Sequence, residues 1–425
     1  MTYEQATAFL DSRIGTGWKL GLDSIRRLLD ELENPHKRIR AVHIAGTNGK
    51  GSTCAMLESI FRTAGYRTGL YTSPHLLDVR ERIQINRQHI PPGDFARVMQ
   101  RIAPLIEKYA ATYFETLTVL AFVYFAEENL DVAFIEVGLG GRLDATNVIH
   151  PELSIITSID FDHMQHLGDT LEKIAAEKAG IVKNGVDCLA GKMPDEADKV
   201  ITSVCEKHHA PFYRAADFYD IIKLDESPGK TKIRIAGSQY RGDMVLALNG
   251  KPQRDNAAIA LAGCDLLSCR GYTIDFRHVQ LGMRAVNWPG RLQVVSENPT
   301  VVLDVAHNKA SFDKLVESLV SLYGDKKIYF IIGLMEDKSI DAIVEKTAGI
   351  AYAVQPVAAD DPRAMTAQEL HSRYRGFSAV LYDARTVRDG VLYVLNQCEK
   401  DALVCITGSH YIAGDALRAI KGLTN

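Results

Sequence analysis

The sequence has no apolar run long enough to cross a membrane and no excess of basic residues. Its 425 residues include 49 Lys and Arg against 53 Asp and Glu, which gives a formal net charge of −4. A membrane-spanning helix needs about 20 mostly apolar residues, and nucleic-acid-binding proteins are usually basic. The first residues, MTYEQATAFLDSRIG, contain early acids and no apolar stretch of signal-peptide length. We therefore expect neither a membrane protein nor a nucleic-acid binder.

Cysteine is sparse, and its spacing does not suggest pairs. The chain has seven cysteines, an odd number, and no CxxC motif. Disulfide frameworks and zinc sites normally need even numbers or closely spaced pairs. This pattern predicts free thiols in a reducing cytoplasm. Internal repeats and low-complexity tracts are also missing, so the sequence predicts an ordinary globular protein.

Strand and helix patterns alternate along most of the chain, which predicts an α/β protein with mainly parallel sheets. A chain of this length favours two domains. Residues 211–249 interrupt the alternation with short strand patterns, and we interpret them as a small antiparallel β appendage. A second alternating run begins near TVVLDVAHN and predicts a smaller doubly wound domain. The expected domains are 1–295 and 296–425.

The stretch HIAGTNGKGST, residues 43–53, follows a β-branched strand pattern and precedes a helical one. It differs from the usual phosphate loop, which has four residues between its glycines and Ser or Thr directly after the lysine. Here two residues separate Gly46 from Gly49, and Gly51 stands between Lys50 and Ser52. Glycines let backbone N–H groups converge, and a helix N-terminus favours anions. We predict a nucleotide site; the alternative is a surface turn with a solvated lysine.

Other polar side chains follow strand patterns of the same predicted domain. Ser73 lies in YTSPHL, although a turn serine is the commoner role before proline. Glu136 ends an apolar strand and is followed by Gly138–Gly141, a run typical of close backbone approach to a ligand. A carboxylate there suits Mg²⁺, which prefers hard oxygen ligands. Arg142 and Asp144 come next and are either site residues or a surface ion pair.

Further candidates come from two more strand ends and one helix. Asp162 and His163 follow the strand pattern LSIITSID, where a metal ligand would fit. Lys178 lies on the next helix, and its pattern alone favours a surface lysine paired with a glutamate. In the second predicted domain, Asp304 and His307 follow TVVLDVAHN, and Arg291 precedes that strand. Ligands in open α/β sheets bind at the carboxyl ends of strands.

Together these stretches resemble the folylpolyglutamate synthase and dihydrofolate synthase family of the Mur ligase superfamily. The resemblance runs in family order from about residue 20 to 415. The matching stretches are HIAGTNGKGSTC, YTSPHL, TYFETLT, EVGLGGRLDATN, SIDFDHMQHLGDTLEKIAAEKAGI, PGRLQ, LDVAHN, GLMEDK and TGSHY.

The resemblance implies a fold and roles for individual residues. It implies a doubly wound P-loop ATPase domain with the small β appendage, and a Rossmann-like α/β domain after it. The implied ATP contacts are Gly49, Lys50, Gly51, Ser52, Asn256, Arg291, Asp304 and His307. The implied Mg²⁺ ligands are Ser73, Glu136, His163 and Lys178, the last as a carbamate. The implied pterin contacts are Thr112, Tyr113, Phe114, Glu115, Leu143, Asp144 and Ala145.

The activity implied is ATP-dependent addition of L-glutamate to dihydropteroate, to reduced folyl-glutamates, or to both, through an acyl phosphate. Lys50, His163 and Lys178 would then be the catalytic residues, and a cytoplasmic monomer is expected. Two alternatives stay open. A cell-wall Mur ligase usually has an extra N-terminal domain, whereas about 40 residues precede the loop here. A non-catalytic nucleotide switch would have no use for several metal ligands.

Overall fold

The computed structural model describes residues 1–15, 21–335 and 340–423. The residues divide into two compact units, one formed by 1–221, 235–242 and 255–286 and the other by 222–234, 243–254 and 287–425. The predicted boundary at residue 295 stays a prediction. The last three residues of GLMEDK, Glu336–Lys338, lie outside the described ranges.

Strands and helices alternate through most of the described chain. The strands are β1 (Ala41–Ala45), β2 (Thr68–Tyr71), β3 (Ile83–Ile85), β4 (Gln88–His89), β5 (Val132–Glu136), β6 (Leu153–Ile156), β7 (Cys188–Ala190), β8 (Phe212–Arg214), β9 (Tyr219–Ser227), β10 (Lys230–Gly237), β11 (Arg241–Leu246), β12 (Gln293–Glu297), β13 (Thr300–Leu303), β14 (Ile328–Ile332), β15 (Ala353–Ala358), β16 (Val380–Leu381), β17 (Arg385–Thr386) and β18 (Leu403–Thr407).

The helices connect these strands or lie beside them. They are α1 (Tyr3–Asp11), α2 (Asp23–Glu31), α3 (Lys50–Thr63), α4 (Pro92–Lys108), α5 (Tyr113–Glu127), α6 (Met164–Leu167), α7 (Leu171–Ala179), α8 (Asp195–Lys207), α9 (Lys251–Ser268), α10 (Phe276–Ala285), α11 (Lys309–Tyr323), α12 (Ile340–Ala348), α13 (Ala367–Arg373), α14 (Val387–Gln397) and α15 (His410–Leu423). Among the helices of the described ranges, none is long and apolar enough to cross a bilayer.

The first sheet has the strand order β4-β3-β2-β5-β1-β6-β7-β8. Within this order, β2, β5, β1, β6, β7 and β8 run parallel to one another, and β3 and β4 add an antiparallel edge. Every residue of β1 and β5 is buried, as expected for central strands covered on both faces. The carboxyl ends of β1, β2, β5 and β6 meet at one edge, because Ile44 pairs with Glu136 and Ala45 with Ile156.

The second sheet has the order β12-β13-β18-β14-β15-β16, with β17 also beside β15. All pairs are parallel except β12 with β13. Its apolar core includes Phe312, Leu319 and Phe330. The predicted fold class, a mainly parallel α/β protein with a second, smaller α/β sheet, is confirmed.

The segment predicted as a β appendage differs in one strand. β9, β10 and β11 form a separate three-stranded sheet, and the two residues between β9 and β10 allow only an antiparallel hairpin. β8, however, pairs in parallel with β7 at the edge of the first sheet. The preceding helix α8 supplies the crossover that a parallel strand requires. A three-residue strand gives too short a pattern for the sequence to assign it to a sheet.

Candidate functional site

The loop between β1 and α3 adopts a conformation that its glycines permit. Gly46 and Gly49 have φ angles of +149° and +89°, which side-chain-bearing residues rarely adopt. A Cβ on Gly46 would come within 1.9 Å of Thr157 Oγ1, and one on Gly49 within 2.3 Å of Asn256 Oδ1. The loop is therefore packed closely from two sides, and Asn256, a predicted ATP contact, lies against Gly49.

The residues after β6 hold this loop through several hydrogen bonds. Thr47 N donates to the Ser158 carbonyl at 2.8 Å, and Asn48 N donates to Ser158 Oγ at 3.0 Å. Thr157 Oγ1 donates to the Asn48 carbonyl at 2.7 Å. These contacts fix the backbone that would surround a phosphate. Thr157 and Ser158 lie near the end of the strand pattern LSIITSID, and nothing in that pattern indicated their contact with a loop 110 residues away.

Two lysines converge on one carbonyl of the loop. Lys50 Nζ donates to the Gly46 carbonyl at 3.1 Å, and Lys178 Nζ donates to the same oxygen at 3.0 Å. Lys178 is only 3% exposed. Burial, and next the charge of Lys50, lower the pKa of Lys178 from 10.5 to about 7. The surface role that its pattern favoured is wrong, because α7 directs Lys178 under the loop.

Two buried hydroxyls in the first turn of α3 have no hydrogen-bond partner among the described residues. They are Ser52 Oγ and Thr53 Oγ1. An unsatisfied buried hydroxyl costs about 1–3 kcal/mol, and a ligand at this position would remove that cost. A helix N-terminus also carries unpaired N–H groups and a partial positive charge. The turn therefore fits a phosphate and, at Ser52, a hard oxygen ligand for Mg²⁺.

Ser73 and Glu136 lie together at the ends of adjacent strands. Ser73 N donates to Glu136 Oε2 at 3.0 Å, and Glu136 is buried. A buried carboxylate and a serine beside a phosphate loop form the kind of oxygen donor set that Mg²⁺ prefers. The sequence placed each residue at the end of a strand pattern, and the structure brings the two together.

His163 follows β6 at the same edge, with a left-handed backbone at φ +49°. The backbone N–H of His163 donates to Asp162 Oδ1 at 2.9 Å, and the ring Nε2 lies 3.8 Å from that oxygen. Its side chain is 36% exposed, whereas Asp162 is buried. Within the described ranges, no group of three or more His, Cys, Asp or Glu side chains is arranged to hold a metal.

The predicted pterin-binding residues fall in two neighbouring segments. Thr112 and Glu115 form a capping box at the start of α5, which explains their spacing. The Phe114 ring lies against Gly138, where a Cβ would come within 2.5 Å of it. Tyr113 stacks under the Arg82 guanidinium at 5.5 Å. The start of α5 thus presents aromatic rings beside the glycine run.

Asp144 is a buried carboxylate and not part of a surface ion pair. It accepts hydrogen bonds from Leu139 N at 2.9 Å and Thr146 N at 3.0 Å. Burial raises the pKa of Asp144, and these donors oppose the increase. Arg142 pairs instead with Glu177 of α7. Leu143 and Ala145 flank Asp144 in the loop.

In the second unit, Asp304 links two stretches that are separate in the sequence. Its carboxylate accepts from Leu292 N at 2.9 Å and from Ala306 N at 2.8 Å. Burial raises the pKa of Asp304, while the nearby Arg291 charge lowers it. His307 Nδ1 lies 2.9 Å from the Val305 carbonyl. PGRLQ and LDVAHN therefore form one local structure at the carboxyl end of β13.

Comparison with known proteins agrees with this geometry. Residues 44–264 match the model of the Mur ligase middle domain, and residues 290–410 match the Mur ligase glutamate ligase domain. The dihydrofolate synthase/folylpolyglutamate synthase of Bacillus subtilis is 34% identical over 438 residues, covering 99% of each chain. The chain belongs to the dihydrofolate synthase/folylpolyglutamate synthase family of Mur ligases.

Solved structures of this family have the same fold. An Escherichia coli FolC in complex with DHPP and ADP has a TM-score of 0.89 at 28% identity, covering 100% of this chain and 99% of that one. A Mycobacterium tuberculosis folylpolyglutamate synthase complexed with ADP and AMPPCP has a TM-score of 0.87 at 29% identity, covering 99% and 98%. The family that the sequence motifs resembled is thus confirmed.

Proposed function

We propose that this chain is an ATP-dependent ligase that joins L-glutamate to the carboxylate of dihydropteroate, of a reduced folyl-glutamate, or of both. The names of its relatives support this substrate class, and ADP or AMPPCP in related structures supports the use of ATP. The observation that carries the proposal is the convergence of Lys50 and Lys178 on the Gly46 carbonyl. The first turn of the following helix contains the buried Ser52 hydroxyl, which has no hydrogen-bond partner among the described residues.

The reaction needs ATP because a carboxylate does not react with an amine at neutral pH. A carboxylate oxygen of the pterin substrate attacks the γ-phosphorus of ATP, the bond to ADP breaks, and an acyl phosphate forms. The glutamate amine then attacks the acyl carbon, phosphate leaves with the bonding pair, and the nitrogen loses a proton. Because water would hydrolyse the acyl phosphate, the site must exclude it.

The phosphate loop would stabilise charge on the transferring phosphoryl group. Lys50 stands at the start of α3, and contact with a phosphate would replace its bonds to the Gly46 and Thr47 carbonyls. Gly49, Gly51 and Ser52 would supply backbone N–H groups and a hydroxyl. Such preorganised donors and charges contribute most of the catalysis in phosphoryl transfer.

Lys178 is suited to carbamate formation. Only a neutral amine adds CO₂, and a pKa of about 7 leaves about half of the amines neutral at pH 7. The protonated amine of Lys178 repels the nearby Lys50 cation, whereas the carbamate anion would attract it. Ser73, Glu136, His163 and carbamylated Lys178 would hold Mg²⁺, which neutralises phosphate charge when bound.

The remaining assignments stay proposals. The pterin would contact residues 112–115 and 143–145. Besides the phosphate-loop residues, Asn256, Arg291, Asp304 and His307 are the expected ATP contacts. Residues 1–295 would bind ATP, and 296–425 would form the glutamate ligase domain. A cytoplasmic monomer is the expected state.

The test is a substrate panel with the full chain. ATP, Mg²⁺ and L-glutamate are supplied with dihydropteroate or tetrahydrofolyl-glutamate, and ADP, phosphate and the glutamylated product are measured. We expect ADP release that requires both glutamate and a pterin. Turnover only with a UDP-linked cell-wall precursor would favour a cell-wall ligase. Slow ATP hydrolysis at a rate that does not depend on glutamate would favour a nucleotide switch.

A further inference from the structure

Three buried side chains form a continuous hydrogen-bonded chain beneath the glycine run. His43 Nε2 lies 2.8 Å from Thr146 Oγ1, and Thr146 Oγ1 lies 2.5 Å from Asp144 Oδ1. His43 and Thr146 are fully buried, and Asp144 is 7% exposed. His43 belongs to β1, the strand that leads into the phosphate loop. None of the chemistry proposed above uses His43 or Thr146.

The direction of this chain follows from its donors and acceptors. Asp144 already accepts from Thr146 N and Leu139 N, so it acts as an acceptor toward the Thr146 hydroxyl as well. A separation of 2.5 Å is typical of a hydroxyl that donates to a carboxylate. Thr146 has only one hydroxyl proton, and it is directed at Asp144. Thr146 must therefore accept from His43, whose proton is on Nε2.

The other ring nitrogen agrees with this assignment. His43 Nδ1 is buried and has no hydrogen-bond partner among the described residues. A second proton on that nitrogen would leave a buried charged donor unsatisfied, which is strongly unfavourable. The imidazole is therefore neutral and acts as a donor in one direction, from β1 toward Asp144.

We propose that His43 is a positioning residue for the pterin-binding loop, because it orients Thr146 and thereby holds Asp144 and the glycine run in place. Asp144 anchors Leu139 N, and the adjacent Gly138 lies against the Phe114 ring. A displacement of Asp144 would therefore shift both segments that we assign to the pterin, residues 143–145 and residues 112–115. The inference rests on the proposed function of residues 112–115 and 143–145.

The alternative is that His43 only fills space in the core. Two substitutions separate these roles. His43→Gln keeps an N–H donor near the position of Nε2, whereas His43→Leu keeps the approximate size but removes the donor. A space-filling role predicts the same behaviour for both variants, and a positioning role predicts that only His43→Gln retains function.

The measurement is the KM for the pterin, for ATP and for glutamate in each variant. We expect His43→Leu to raise the pterin KM about tenfold, the usual effect of losing one hydrogen bond in a charged network. The KM for ATP should stay within about twofold, because the phosphate loop keeps its own contacts to residues 157 and 158. His43→Gln should stay close to the wild type.

Parallel increases in the pterin and ATP KM, or equal effects of Gln and Leu, would overturn the inference. If His43→Leu does not fold, Thr146→Val and Thr146→Ser provide the same comparison one step along the chain. There, Val should raise the pterin KM and Ser should not, and equal values would count against the inference. A wild type without glutamate-dependent turnover would overturn the proposed function and this inference together, whereas an active wild type with an unchanged pterin KM in His43→Leu would overturn the inference alone.

Discussion

Replacing Lys178 by methionine should stabilise the protein while abolishing its activity. The lysine amine is buried, and its pKa falls from 10.5 to about 7. This difference corresponds to roughly 5 kcal/mol against the charged amine in the folded state. Methionine has a similar length and no charge. It loses one hydrogen bond to the Gly46 carbonyl, which is worth about 1 kcal/mol.

The sign and pH window of the effect follow from linkage. The folded pKa lies below the unfolded one, so between about pH 7 and 10.5 the unfolded chain binds more protons. The stability contributed by Lys178 therefore rises with pH across this window. At pH 7 about half of the folded amines are neutral, so the cost of burying the lysine is about 4 kcal/mol there. After the lost hydrogen bond is subtracted, the free energy of unfolding of Lys178→Met should exceed that of the wild type by about 3 kcal/mol. At pH 9 this difference should be smaller by roughly 2 kcal/mol.

The assay is calorimetric unfolding in CO₂-depleted buffer at pH 7 and 9. Lys173→Met is the matched control, because Lys173 lies on the same helix, is 63% exposed and pairs with Asp169. The control should show no such pH-dependent gain. Bicarbonate should stabilise the wild type and leave Lys178→Met unchanged. A Lys178→Met variant less stable than the wild type at pH 7, with a difference that does not change at pH 9, would refute the reasoning.

Three further predictions concern activity and local stability. Lys50→Ala should lower ADP release by about 10²–10³-fold, since removing one preorganised group from a transition state costs this much. Retention of half of the activity would contradict the phosphate-loop role. Lys178→Ala should be inactive, and acetate or formate should partly restore its activity because these acids can replace the carbamate. The measurement is ADP release as the acid is titrated in, and a failure of every short acid to restore it would count against the carbamate. Asp304→Ala should destabilise the protein by about 2–4 kcal/mol, because Leu292 N and Ala306 N lose their acceptor, and denaturant unfolding with Asp304→Asn as a milder control would detect it.

The strand-end residues were predictable from the sequence. Apolar strand patterns followed by glycine, serine or a carboxylate place Gly46, Ser73 and Glu136 at one sheet edge, because parallel strands share their direction. The hydrogen bond between Ser73 and Glu136 agrees with that expectation. Periodicity carries such information because it depends only on local chain direction and burial.

Contacts between distant segments were not predictable in the same way. Nothing in the pattern around Lys178 distinguishes a surface lysine from one buried under a loop 132 residues away. Only the family resemblance predicted a functional role for it. His43 and Thr146 likewise lie 103 residues apart, and their pairing depends on the order of β1, β5 and β6. The three-residue strand β8 lacks enough residues to define a period.

The central claim is that ATP activates the pterin carboxylate before glutamate attacks. The most direct measurement uses a pterin substrate with both carboxylate oxygens labelled with ¹⁸O, followed by mass analysis of the released phosphate. One labelled oxygen per phosphate, together with a glutamylated product, is the predicted result, because the attacking carboxylate oxygen leaves with the phosphoryl group. Unlabelled phosphate, released at a rate that does not depend on glutamate, would contradict the account.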